Sequence, residues 1–99
     1  MEITQHHDGN SIVVSVAGRL NTGTAPELDK GLSEVVEGTN SVILDLQDLA
    51  YISSAGLRVI LSTQKAMNRK QGSLVVRNCK PEILEVFEMT GFVDFLTIE

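Results

Sequence analysis

Apolar residues recur along this chain with two different periods. In "TAPELDKGLSEVVEG" (24–38), Leu28, Leu32, Val35 and Val36 fall on one face of a helix. Thr24 followed three residues later by Glu27 has the spacing of a capping box, Pro26 stands in the first turn, and Gly38 is placed to close the end. "SSAGLRVILSTQKAMNRKQG" predicts a second helix, beginning around Ser53–Ser54 and running to about Arg69, with its cationic end before Gly72 as the helix dipole favours. "KPEILEVFEMTG" predicts a third, with Pro81 early and Gly91 as terminator.

Short β-branched runs lie between the helices. "SIVVSV" (11–16) follows the turn residues "DGN" and pairs back on "EITQHH" as a hairpin. "SVILDL" (41–46) is a nearly continuous apolar run, which predicts a strand buried on both faces, and "SLVVRN" predicts another. "VDFLTIE" ends the chain as a last strand or a short helix. A hairpin followed by alternating strands and helices implies one α/β domain over residues 1–99, a mixed β-sheet with helices packed against it. Its expected sheet core is Val14, Val16, Ile43, Leu44, Val75 and Val76.

Composition narrows the partners. Aromatic residues make up 4% of the 99 and tryptophan is absent, so the core must come from Leu, Val and Ile. The net charge of −5, with no basic cluster longer than Arg69–Lys70, argues against nucleic acid. No apolar run approaches the ~20 residues of a spanning helix, and "MEITQHHDGN" has no signal-peptide core, so no membrane partner is expected. Cys79 is the only cysteine; it excludes an internal disulfide, suits a cytoplasmic location, and reads as a packed strand-end residue.

The polar interruption "YISSAG" is the main candidate for chemistry. Asp45 and Asp48 flank the end of the preceding strand, and Ser53 or Ser54 can cap the backbone N–H groups of the helix that follows. The same position suits a phosphoryl group, which would face those N–H groups and the positive end of the dipole. Gly56 leaves room for another backbone to approach, and Arg58 stands at i+4 from Ser54, a spacing that permits a side-chain pair. Residues 21–24, Asn21, Thr22, Gly23 and Thr24, make a second polar strand-to-helix crossing: turn chemistry with a cap, or a polar rim beside the Ser54 helix start.

Enzymatic chemistry finds little support. A hydrolase elbow needs glycine on both sides of its serine, and "ISSAG" lacks the first. The only histidines, His6 and His7, sit at the N-terminus beside a turn, and with Asp8 they are adjacent rather than spaced as metal ligands. No phosphate-cradling glycine motif occurs. Neither a metal nor a cofactor is expected.

"GRLNTGTAPEL", "VILDLQDLAYISSAGLRVIL" and "LVVRNCKPEILEVFEMTGF", in that order and over nearly the whole chain, resemble the anti-sigma-factor antagonists of the STAS-domain family. The resemblance implies a non-enzymatic partner-switching protein. It would bind an anti-sigma factor with serine-kinase activity and so release a sigma factor for transcription. Phosphorylation by that kinase would end the interaction, and a serine phosphatase would restore it. Aligning "SSAG" with the family's usual Asp-Ser-Ser/Thr-Gly implies an acceptor at Ser54, with Ser53 as the alternative. The partner surface it implies comprises Asn21, Thr22, Gly23, Thr24, Ser53, Ser54, Ala55, Gly56 and Arg58. Two positions depart from the pattern: Ser53 and Asn21 stand where the family usually has Asp, and both changes remove negative charge near the acceptor. A STAS module of a chemosensory or polysaccharide-export system is the alternative reading. A small serine hydrolase, or a structural module in which Ser54 only caps, stands behind it.

Overall fold

The computed structural model describes residues 1–99. Strands β1 (Glu2–Asp8) and β2 (Ser11–Leu20) form the expected antiparallel hairpin, joined through Gly9, whose φ of +62° favours glycine, and Asn10. β2 outruns the expected 11–16 strand. Its register shifts at Gly18, and its far end pairs in parallel with β4 (Leu49–Ile52), matching Arg19 to Tyr51 and Leu20 to Ile52. β4 is a strand the sequence pattern does not announce, because four residues are too few to display an alternation.

The near half of β2 pairs with β3 (Ser41–Asp45), β3 with β5 (Ser73–Arg77), and β5 with β6 (Thr97–Ile98), all parallel. The sheet is therefore mixed, in the order β1-β2-β3-β5-β6, with β4 attached to β2. Helices α1 (Ala25–Gly38), α2 (Ser54–Arg69) and α3 (Pro81–Met89) fall where helical spacing placed them. The last segment supplies both expected forms in turn: a 3-10 turn at Phe92–Asp94, then β6.

The helices bury their apolar stripes with one face of the sheet. Val14, Val16, Val42, Leu44, Leu74 and Val76 form a single cluster with Leu28 and Leu32 of α1, Ile60 and Met67 of α2, and Ile83 and Phe87 of α3. Each fully buried Leu or Ile side chain contributes about 1.5–3 kcal/mol. Ile43 and Val75 are a correction to the expected core. They pair with each other on the opposite face, in register with the buried Val13, and remain half-buried. β3 is consequently not buried on both faces: Val42 and Leu44 point into the cluster while Ile43 and Asp45 point away.

Two helix ends also differ from expectation. The Thr24–Glu27 capping box does not form, since the Thr24 side chain makes no cap bond to the helix. Asn21 closes that end: its Oδ1 accepts from the N–H groups of Gly23 and Thr24, both at 3.0 Å, and its carbonyl accepts from Ala25 N at 2.8 Å. Gly38 is not a left-handed terminator. That end is held by Lys70, whose Nζ donates to Val36 O in the last turn of α1 and to Thr39 O just beyond it. α2 ends in a Schellman motif, with Gly72 N donating to Met67 O and Gln71 N to Asn68 O. Gln71 takes the left-handed position there (φ +60°), one residue before Gly72. A Cβ on Gly72 would lie 2.6 Å from the carbonyl oxygen of Asn40.

Candidate functional site

Leu20 and Ile52 end neighbouring parallel strands, so the segments that follow them share one end of the sheet. Ser53 N donates to Leu20 O at 2.9 Å, joining the start of α2 to the end of β2. The 21–24 loop and the Ser54 helix start therefore occupy the same surface, as two polar strand-to-helix crossings on adjacent strands should.

The adjacent serines divide two roles. Ser53 is extended (φ −101°, ψ 175°) and half-buried, and its Oγ accepts from Gly56 N at 3.4 Å, making it the cap of α2. Ser54 is the first helical residue; it is exposed and its hydroxyl bonds to no other group of the protein. The first turn of α2 holds no acidic residue, so no carboxylate offsets the positive end of its dipole.

Gly56 has a different task from the one its sequence position suggests. It is buried, and a Cβ there would come within 2.6 Å of Leu20 Cγ and 3.0 Å of Ile52 Cγ1. The space it leaves is filled by the chain's own strand ends, not by an approaching partner. Ala55 is likewise buried, although it lines the groove between α1 and α2 along with Thr22, Asp29, Arg58 and Ser62. Thr22, Gly23 and Arg58 are exposed, whereas Asn21 and Thr24 are half-buried and serve the loop itself. Thr24 Oγ donates to Arg19 O at 2.9 Å and accepts from Asn21 N at 2.9 Å.

One feature of this surface is invisible in the sequence. The Arg19 guanidinium lies 4.3 Å from the centre of the Tyr51 ring, on the outer side of the β2–β4 pair, and Tyr51 keeps 39% of its surface exposed. Nothing in the local pattern pairs these residues; they meet only because β4 adds to the far end of β2.

Other candidates fall away from the site. Asp45 accepts from Gln47 N at 3.0 Å and Asn78 Nδ2 at 3.2 Å and lies 3.6 Å from Arg77, tying the end of β3 to that of β5. Asp48 contributes its carbonyl, which accepts from Gly18 N. His6 and His7 point to opposite faces of β1. Val13, opposite His6, is separated from Leu20 by roughly 20 Å of strand, so no histidine reaches the Ser54 hydroxyl as a base. Cys79 is half-buried after β5, and burial pushes its thiol up from the usual cysteine range.

The family model described as "STAS domain" matches residues 2–99. The chain belongs to the STAS domain family. Among curated STAS relatives, it is 37% identical over 99 residues to BtrV of Bordetella bronchiseptica, covering 99% of this chain and 85% of that protein. It is 32% identical over 89 residues to the anti-sigma-B factor antagonist of Bacillus subtilis, covering 90% of this chain and 82% of the relative. Its fold matches the anti-sigma factor antagonist SpoIIAA in unphosphorylated form (TM-score 0.79, 14% identity, 99% of this chain and 87% of that one). It also matches the Bacillus cell fate determinant SpoIIAA in phosphorylated form (TM-score 0.77, 15% identity, 99% and 91%). No helix of the STAS chain is long and apolar enough to cross a membrane.

Proposed function

We propose that this STAS domain is an anti-sigma factor antagonist whose grip on its partner is switched by phosphorylation of Ser54. The observation that carries the reading is the division of labour at the start of α2: Ser53 does the capping, which leaves the Ser54 hydroxyl exposed and unbonded. The names of its STAS relatives supply the partner class, an anti-sigma factor. The partner also acts as the serine kinase. In that step the Ser54 oxygen attacks the γ-phosphorus of ATP, the new O–P bond replaces the bond to ADP, and the hydroxyl proton passes to a base on the kinase. A serine phosphatase returns Ser54 and inorganic phosphate by transfer to water. The protein itself catalyses nothing and works in the cytoplasm, where the kinase finds its ATP.

The unmodified surface docks through exposed Thr22, Gly23, Ser54 and Arg58, with Asn21, Thr24 and Ser53 holding the two loops in shape. Ala55 and Gly56 act from below, by packing. Phosphate adds roughly −1.5 to −2 charges. At a closed interface that charge must be desolvated, while on the free domain it stays at an exposed helix start, so binding is lost and the fold is kept.

The test is the anti-sigma partner's affinity for the unmodified, phosphorylated and Ser54→Ala forms, with the phosphate mapped by mass spectrometry. The unmodified and Ser54→Ala proteins should bind alike and the phosphorylated protein at least tenfold more weakly. Ser54→Asp, with about half the charge of a phosphate, should fall between. Equal affinities throughout would leave Ser54 with no switching role, and a phosphate found only on Ser53 would move the acceptor by one residue.

A further inference from the structure

Arg58 is the only charged residue in the first two turns of α2. It is exposed and takes part in no ion pair; the protein's one ion pair, Arg77 with Asp45, lies elsewhere. Side chains on a helix lean toward its N-terminus and cover the turn before their own Cα. Arg58 stands four residues after Ser54, one turn along the same face of α2, where such a lean would bring its stem back toward the helix start. The charged groups around it do not compete. Asp29 shares the groove from the α1 side but stands beyond ion-pair reach, and Arg19, at the end of β2, lies over Tyr51 on the outer side.

Resting on the reading of Ser54 as the phosphate acceptor, we propose that Arg58 is the latch of the phosphorylated state. Its guanidinium folds one turn back and pairs with the phosphate at the mouth of the α1–α2 groove, beside Thr22. The unmodified hydroxyl offers Arg58 no charge, so the side chain remains free. A phosphate supplies acceptor oxygens that fit the planar guanidinium fork. The pair forms within one helix, so it asks nothing of the core, and it favours the dianion over the monoanion. Arg58 is a positioning residue here: it acts on where the phosphate sits and how strongly it holds its second proton.

The experiment needs neither kinase nor partner. Phosphoserine is installed at position 54 of the full chain by codon suppression, and its second ionisation is followed by phosphorus NMR. An ordinary phosphoserine titrates near pH ~6. The wild-type value should lie about 0.3 unit below that of Arg58→Ala, with Arg58→Lys between them, a shift in keeping with exposed i,i+4 pairs. The gap should close at about 1 M salt, where exposed pairs are screened. Identical titrations in wild type and Arg58→Ala overturn the latch. That failure is distinct from failure of the switch: a phosphate that blocks the partner without titrating differently leaves the switch standing. A shifted titration with unchanged partner affinity retains the latch and removes the switch.

Discussion

Where α1 and α2 finish, separate elements hold one another. Lys70 at the end of α2 donates to two carbonyls beyond and within the last turn of α1, Ser73 N donates to Asn40 O, and Gly72 passes against Asn40 with no room for a Cβ. Where the same helices start, most polar groups are satisfied inside their own loops. Asn21 serves Gly23 and Thr24, Ser53 serves Gly56, and the Ser53–Leu20 bond and the buried Gly56 anchor the two loops from beneath. Thr22, Ser54 and Arg58 are left exposed. The contrast teaches how the two ends of a small domain can differ: one fixes the helices to each other, while the other leaves a hydroxyl that, on the proposed reading, could gain a charge without breaking a bond between elements.

Breaking the locked end should cost most. Gly72→Ala drives a Cβ into a backbone carbonyl that cannot turn aside, and a loss of about 3 kcal/mol in urea unfolding is expected. Gly56→Ala meets side chains of Leu20 and Ile52, which can shift, and gains helix propensity, so its loss should be about 1–2 kcal/mol. If Gly56→Ala proves the costlier of the two, the ranking of the ends is reversed. Lys70→Met keeps the stem but removes the donor to Val36 and Thr39, and should lower stability by about 1 kcal/mol with no effect on partner binding.

At the open end the effects shrink and separate by residue. Ser53→Ala removes a long cap bond and should cost about 0.5–1 kcal/mol, whereas Ser54→Ala should stay within about 0.5 kcal/mol of wild type. Equal losses for the two would mean that Ser54 shares the capping. The smallest effect belongs to Cys79, whose thiol pKa is raised by burial in the folded state. The unfolded chain then loses its thiol proton first, so this contribution to stability is complete below the unfolded pKa of about 8.5 and fades as pH rises toward the folded value. Cys79→Ser should flatten that alkaline decline in a denaturation series between about pH 7 and 10.

Much of the architecture was legible because its signals are local. Helical spacing of Leu28, Leu32 and Val35, Pro at two helix starts, Gly91 after α3 (φ +80°) and the turn at Gly9 each act over a few residues. The doublet at 53–54 was legible as a helix start for the same reason, and the motif around it carried the resemblance to the STAS family that the 2–99 match established. Where local signals misled, a competing contact had taken over, near in sequence at Thr24 and distant at Gly38. Thr24 and Glu27 have capping-box spacing, yet the Thr24 hydroxyl is held by Arg19 O and Asn21 N, and the Asn21 side chain ties the loop before the helix through the Gly23 and Thr24 N–H groups. Gly38 looks like a terminator, yet Lys70, thirty-odd residues away, closes that helix.

By itself, then, the sequence determined the order and kind of nearly every element, the cluster of small polar residues at two crossings, and the family. Those properties follow from periodicity and turn chemistry, which need only near neighbours. Tertiary structure decided which face of β3 and β5 is covered, the existence of β4, the pairing of Arg19 with Tyr51, and the placing of both crossings at one end of the sheet. It also decided that Gly56 is a packing residue and that Ser54 has the free hydroxyl. Each of these depends on strands brought together from distant parts of the chain, and a pleated strand presents the same sequence whichever of its faces the helices happen to cover.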